Sequence, residues 1–407
     1  MSHLGSPLRR GHQIQLLQGS KEFFPALIEA VDRALTEVRL ETYIFDFTGT
    51  SADVAQALVR AAKRGVTMQL VVDGVGTGAL PLEWRQRFDE AGVQWRVYAP
   101  LGLLGLLIPS RWRRLHRKLC VIDGQLAFCG GINILDDFHD PNYGPLKSPR
   151  LDFAVRASGV LVQEVQDTMA QLWWRMQAVR DVKQRNFPAA LSSLRTATDY
   201  LYGSEGDAKN IAGDIHLAKA LLLLRDNVRN RSHIEKAYRK AIGEARQEII
   251  IANAYFVPGR KLRKALMMAA QRGVKVQLLL QGKYEYFMQY HAARPVYGAL
   301  LATGVEIYEY SASFLHAKVA VIDSHWVTVG SSNLDPLSLL LAREANVVVD
   351  DAGFAAELRG RLVSAMDNGG QRVDPAQYAH RPWRQRLRDR IAFGLMRAAL
   401  FVTGYRY

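Results

Sequence analysis

The sequence predicts an α/β fold laid down twice, as two homologous domains in one chain of 407 residues. Three observations predict it. Helical and strand-like periodicities alternate through each half, short stretches of the first half recur in the second, and one cluster of polar residues recurs at unchanged spacing.

Between Lys21 and Leu40 the apolar residues Phe24, Leu27, Ile28, Val31, Leu35 and Val38 recur at helical spacing, and the run from Leu40 to Phe45 then turns strand-like. A second helix is expected over Asp53–Arg64, a strand over Gly65–Asp73, a helix over Leu82–Glu90 and a strand over Val93–Tyr98. The order returns after residue 230. Helix Ile234–Ala245 precedes strand Glu248–Ala254, and helix Leu262–Gln271 precedes strand Gly273–Leu280. Ala-Ala-Lys-Arg-Gly-Val at 61–66 nearly repeats as Ala-Ala-Gln-Arg-Gly-Val at 269–274, so a whole domain is repeated. The expected division is 1–200, 201–370 and a basic tail over 371–407, with Leu191–Asp214 as the connection between halves.

The recurring cluster carries chemistry. His116, Lys118, Asp123, Gly130 and Asn133 in the first half match His316, Lys318, Asp323, Gly330 and Asn333 in the second. Leu115–Ile122 is β-branched and apolar enough for a strand, where alternation puts His116 and Lys118 on one face and turns Asp123 away. Asp123-Gly124 signals a hairpin that returns Gly130, Gly131 and Asn133 beside His116. Imidazole can act as nucleophile or proton carrier, Lys supplies a point charge for phosphate oxygens, and the Asn amide donates to the same oxygens. That set suits phosphoryl transfer.

Both copies match the His-x-Lys-x4-Asp signature, and over nearly its whole length the chain resembles the phospholipase D superfamily. Within it the chain is most similar to the bacterial cardiolipin synthases that lack N-terminal membrane spans. The resemblance implies two phospholipase D-type domains, each a mixed β-sheet flanked by helices, related by a pseudo-twofold with the active site at their interface. It implies a catalytic set of His116, Lys118, Asp123, His316, Lys318 and Asp323, with Asn133, Asn333, Gly130 and Ser331 on the substrate. Asp152 and Glu344 stand where it expects acidic partners for the histidines. Neither a cofactor nor a metal is implied.

The implied reaction is phosphatidyl transfer, which makes cardiolipin from phosphatidylglycerol through a phosphohistidine. The copies are too alike to say which histidine is the nucleophile. A hydrolase or nuclease of the same superfamily is the competing function, and a degenerate lipid-binding scaffold is a third. Fifty-three Lys and Arg against 39 Asp and Glu leave a net charge of +14, which favours an anionic partner of either kind. The sequence shows no nucleic-acid-binding module and no row of stacking aromatics. A scaffold, for its part, would not need two matched histidines.

Cys120 and Cys129 are too few for a disulfide framework and are expected as small buried residues. There is neither a Cys-x-x-Cys nor a His-Glu-x-x-His, nor a P-loop. Met1–Arg10 lacks the apolar core of a signal peptide, and the longest apolar run, 99–109, falls short of the roughly 20 residues that span a bilayer. Membrane contact is instead expected from the surface, on the cytoplasmic face of the bacterial cell membrane. Leu103, Leu104, Leu106, Leu107 and Trp112 would form an insertion tip, and Leu387, Ile391, Leu395, Ala398 and Val402 the apolar stripe of a basic helix in the tail. His139, His325 and the Trp173-Trp174 pair are expected in surface or core roles.

Overall fold

The computed structural model describes residues 8–102, 112–202, 218–226, 230, 232–283, 287–335 and 342–402, with backbone only at 201–202, 287–290 and 396–402. Its two compact units do not divide the chain at residue 200. One comprises 5–136 and 154–222, and the other 137–153 and 223–407. A segment of the first half therefore belongs to the second unit.

In the first unit the elements are β1 (Arg9–His12), β2 (Ile14–Gln18), α1 (Gly19–Asp32), β3 (Glu37–Thr42), α2 (Gly49–Lys63), β4 (Thr67–Asp73), α3 (Leu82–Ala91), β5 (Gln94–Tyr98), β6 (Arg114–Leu115), β7 (Lys118–Ile122) and β8 (Leu126–Gly130). After the short strands β9 (His139–Asp140) and β10 (Gly144–Pro145), which belong to the second unit, come β11 (Phe153–Ser158), α4 (Leu161–Lys183), α5 (Phe187–Tyr202) and β12 (Ala218–Arg225), whose last residues again belong to the second unit. The sheet order is β2-β11-β8-β7-β3-β4-β5. Strands β3, β4 and β5 are parallel, as helical crossovers require. β7, β8 and β11 continue the sheet antiparallel.

Phe23, Phe24, Leu27 and Val31 of α1 and Val54 and Leu58 of α2 pack with Val38, Leu40, Met68, Leu70 and Val72 on one face of this sheet. Leu172 and Trp173 of α4 pack on Val71 and Leu115 on the other. Burial on both faces is why these strands read as nearly continuous apolar runs. Two sequence expectations shift here. α1 stops at Asp32 rather than near Leu40, so Leu35 lies 83 % exposed in the turn while Val38 is a buried strand residue. The stretch from Leu191 to Tyr202 is helix, not linker, and the remainder of the expected connection lies mostly outside the described residues.

The second unit repeats the plan with α6 (His233–Glu244), β13 (Glu248–Asn253), α7 (Arg260–Gln271), β14 (Lys275–Gln281), α8 (Phe287–Leu301), β15 (Glu306–Tyr310), β16 (Lys318–Ile322), β17 (Trp326–Gly330) and β18 (Ala342–Asp350). Then come α9 (Ala352–Gly369), β19 (Gly370–Arg372), α10 (Pro375–Ala379) and α11 (Trp383–Val402). Its strands run β18-β17-β16-β13-β14-β15-β19, the same order as β11-β8-β7-β3-β4-β5 with one edge strand added. Ile249, Ile250, Ile251 and Ala252 at its centre are fully buried. The described part of the expected tail, 371–402, is not a separate appendage: β19 pairs with β15, and α11 packs along α8. His291 and Arg381 close that contact on the buried Asp389, at 2.7 and 3.1 Å.

Candidate active site

Each motif sits at the start of an antiparallel hairpin beside the central parallel strand. In the first unit β7 pairs with both β3 and β8, which sets Lys118 opposite Gly130. Lys118 is 5 % exposed, and its Nζ donates to the carbonyl of His116 at 2.6 Å. The Tyr43 ring stands 4.9 Å from the His116 ring and 5.4 Å from Lys118 Nζ, so an aromatic face backs both groups. Asn133 accepts from the Ile44 N–H at 3.1 Å, and a parallel bridge joins Phe45 to Ile134. These contacts bring the far end of the motif back beside its beginning.

The segment entering His116 is held by Asp73, a fully buried carboxylate. It accepts from the Leu115 N–H at 2.7 Å, from Arg114 at 3.1 Å, and from the N–H groups of Val75 and Gly76. Between His116 and Lys118, Arg117 points to the opposite face and pairs with buried Glu41 at 2.6 and 3.1 Å. The second unit has Ala317 and Ala252 at the equivalent places, so both partners of that ion pair are absent together. Such joint loss is expected, because one buried charge without the other is strongly unfavourable.

In the second unit Lys318 is fully buried and donates to the carbonyl of His316. Gly330 lies so close to Asn346 that a Cβ added there would meet its side chain at 2.3 Å, which explains glycine at this offset. Ser331, expected on the substrate, hydrogen-bonds buried Glu344 and the backbone of Ala345, and therefore positions β18. Asn333 is buried, and the Leu334 N–H beside it donates to Asn253 at 3.1 Å.

His316 has its acidic partner in the segment contributed by the first half. Asp152 Oδ2 stands 2.6 Å from His316 Nδ1, and Asp152 is 2 % exposed. Three contacts seat that segment: Leu151 bridges Leu315, the His316 N–H donates to the Leu151 carbonyl at 2.8 Å, and Ser313 Oγ donates to the Ser148 carbonyl at 2.6 Å. A carboxylate on Nδ1 fixes the proton there, so that Nε2 carries the ring's lone pair.

The two aspartates grouped with the catalytic set are placed elsewhere. Asp123 accepts from the N–H groups of Leu35, Thr36 and Glu37 at 2.8 to 2.9 Å, and Asp323 accepts from Arg246, Gln247 and Glu248 at 2.8 to 3.0 Å. Each occupies a hairpin turn of positive φ, with Gly124 following the first and Ser324 the second. Burial pushes both carboxyls up, but the N–H donors outweigh it and hold each below its ordinary value. Their task is to fasten the hairpin to the central strand. A depressed carboxyl contributes stability that is present above the unfolded-state value and lost as pH falls through the folded one, so acid loosens these turns. Asp123→Asn and Asp323→Asn are each expected to cost about 1–2 kcal/mol of stability, read as a lower melting temperature. Turnover per folded molecule should stay within a few-fold.

Leu103, Leu104, Leu106 and Leu107 lie outside the described residues, while Trp112 is half-buried and its carbonyl accepts from Arg114. Cys120 and Cys129 are buried and are not joined in a disulfide. Among the described residues no group of three or more His, Cys, Asp or Glu is arranged to hold a metal, and no helix is long and apolar enough to cross a membrane. Tyr43, Asp73 and the Glu41–Arg117 pair escaped the sequence reading. The carboxylates that Glu41 and Asp73 place inside strands β3 and β4 were the signal that could have found them.

Comparison with known proteins agrees with this architecture. The phosphatidylserine synthase of Haemophilus influenzae Rd KW20 superposes with a TM-score of 0.65 over 96 % of this chain and 95 % of that one, at 12 % identity. Cardiolipin synthase A of Cronobacter sakazakii is 27 % identical over 94 % of this chain and 75 % of its own. Cardiolipin synthase B of Salmonella typhi is 36 % identical, and that of Escherichia coli K12 35 %, each over 98 % of this chain and 91 % of the relative. The family described as "Cardiolipin synthase, PLD-like domain" matches residues 27–144 and 238–365, one match on each motif, and the chain belongs to that family.

Proposed function

We propose that this chain is a phosphatidyltransferase that joins two phosphatidylglycerol molecules into cardiolipin and releases glycerol. The observation that carries it is the doubled His and Lys set with an oriented imidazole: His316 on Asp152, and each motif lysine folded under its own histidine. One histidine attacks the phosphorus, and the bond from phosphorus to the headgroup glycerol breaks. The other histidine gives that glycerol its proton, then takes a proton from the hydroxyl of a second phosphatidylglycerol. This hydroxyl attacks phosphorus and frees the first histidine. Lys118 and Lys318 neutralise the nonbridging oxygens and the amides of Asn133 and Asn333 donate to them, so the transfer needs neither metal nor nucleotide.

The lipid reading draws on the relatives named cardiolipin synthase. A bilayer contact on the cytoplasmic face draws on α11. Trp383, Leu387, Ile391 and Leu395 are exposed along it among Arg384, Arg386, Arg388 and Arg390, while Asp389 and Ala392 turn inward. That arrangement suits apolar side chains at a headgroup boundary with arginines on lipid phosphates.

The test is product analysis. Purified protein given phosphatidylglycerol in mixed micelles with EDTA and no nucleotide should yield cardiolipin and one glycerol per cardiolipin, identified by mass spectrometry. Phosphatidic acid as the sole lipid product would make the chain a hydrolase, and activity restored only by added divalent metal would overturn the metal-free mechanism.

A further inference from the structure

The hairpin of α4 and α5 inverts the usual order of amphipathic helices. α5 turns the small residues Ala190, Ser193 and Ala197 inward and leaves Phe187, Leu191 and Leu194 at 64, 54 and 47 % exposure. Val179 and Val182 near the end of α4 are likewise exposed. These outward residues recur at three and four, so each helix presents one apolar stripe.

Polar bonds join the small buried side chains in holding the arrangement. Buried Asp181 accepts from Ser193 Oγ at 2.9 Å and from Gln177 Nε2 at 2.7 Å, which ties the two helices together. Arg185 closes the turn at φ 59°, and the Asn186 N–H donates to the Asp181 carbonyl at 2.9 Å. Around the stripes Arg180, Lys183, Arg185 and Arg195 are exposed; of the two acids on the same stretch, Asp181 is turned in and Asp199 is exposed beyond Arg195, so the rim keeps a net positive charge. The other end of α4 backs β7 and β8, the hairpin that carries the first motif.

Several large apolar side chains left in water on one element, rimmed by polar groups, mark a contact surface. A second copy of the chain is a poor occupant, because it would set these four cations against four more. An anionic phospholipid surface accepts both features, since apolar side chains enter the headgroup boundary and the basic rim meets phosphates. We propose that the α4–α5 hairpin is a membrane-contact element of the first unit, separate from α11, seating the first motif's sheet on an anionic bilayer. The choice of a bilayer over an acidic protein rests on the phospholipid substrate proposed above.

The test uses the full chain. Phe187→Ser, Leu191→Ser and Leu194→Ser combined should leave the circular dichroism melt in place and lower partition onto phosphatidylglycerol–phosphatidylcholine vesicles in flotation by tenfold or more. Turnover of a short-chain, monomeric phosphatidylglycerol should be unchanged. A single Leu191→Cys protein gives an independent reading. Its new thiol is exposed, whereas Cys120 and Cys129 are buried, burial pushing the latter up to about 12 despite nearby Arg117. An environment-sensitive dye on that thiol should brighten and shift blue on the anionic vesicles and not on phosphatidylcholine alone. Unchanged flotation of the triple variant, or a dye that stays silent on vesicles, overturns the proposal. So does a dye response to soluble poly-glutamate but none to vesicles, or a wild-type dimer in sedimentation that the triple variant dissolves. Absence of cardiolipin formation by the wild type would instead overturn the proposed reaction and leave the flotation result standing.

Discussion

Purified His116→Ala and His316→Ala proteins are each expected to keep their fold and to lose transfer by at least about 10⁴-fold, because nucleophilic attack and proton transfer are consecutive parts of one reaction. The double variant should be no slower than the worse of the two singles, since groups that act as a unit fail non-additively. This separates one shared site from two independent ones: if each motif worked alone, either single variant would keep about half the activity. Lys118→Ala and Lys318→Ala should lose about 10²–10³-fold through missing charge stabilisation. Both lysines are buried and hold the carbonyl of their own histidine, so the melting temperature must be read alongside the rate. Normal cardiolipin formation by either well-folded histidine variant would remove the mechanism.

Much of this was legible in the sequence because strands and helices here obey simple periods. Alternation alone separated His116 and Lys118 from Asp123, and the structure places the Asp123 carboxylate on the N–H groups of Leu35, Thr36 and Glu37. The repeat of Ala-Ala-x-Arg-Gly-Val announced equivalent crossovers, and β3-β4-β5 and β13-β14-β15 are indeed parallel in the same order. Where apolar spacing failed, a turn had interrupted it: Leu35 and Val38 fit a helix of Lys21–Leu40 by spacing, yet one lies exposed in a turn and the other in β3.

Other features are invisible to periodicity because they depend on contacts between distant parts of the chain. Nothing in the composition of 137–152 says that this segment seats itself on Phe314 and His316 rather than on its own half; the resemblance pointed to Asp152 without saying which histidine it serves, and Ser148 and Leu151 become informative only once 313–316 lies beside them. The inverted hairpin was missed for a related reason. Ser192, Ser193, Thr196 and Thr198 gave 191–214 the composition of a linker, whereas Ser193 is a buried anchor on Asp181, and Thr196 and Thr198 return their hydroxyls to backbone carbonyls one turn back.

Asp152→Asn is expected to lower kcat by about 10²–10⁴-fold while leaving KM nearly unchanged, since the change alters the tautomer of an imidazole and touches no substrate group. Asp152 offers one oxygen to His316 Nδ1 at 2.6 Å and the other to the Phe153 N–H at 2.8 Å, and both demands are met only by an acceptor. The asparagine amide can keep one of them. If its oxygen takes the backbone N–H, its NH₂ faces Nδ1 and forces the proton to Nε2, the nitrogen that must otherwise reach the substrate. The backbone seat of the segment is independent of this side chain, because the His316 N–H still donates to the Leu151 carbonyl, so melting should change little. In a His316→Ala background the same substitution should cost nothing further, which distinguishes orientation of His316 from a general loosening of the segment. A kcat equal to wild type in Asp152→Asn, or an added loss in the His316→Ala background, would show that the carboxylate does not act through this histidine.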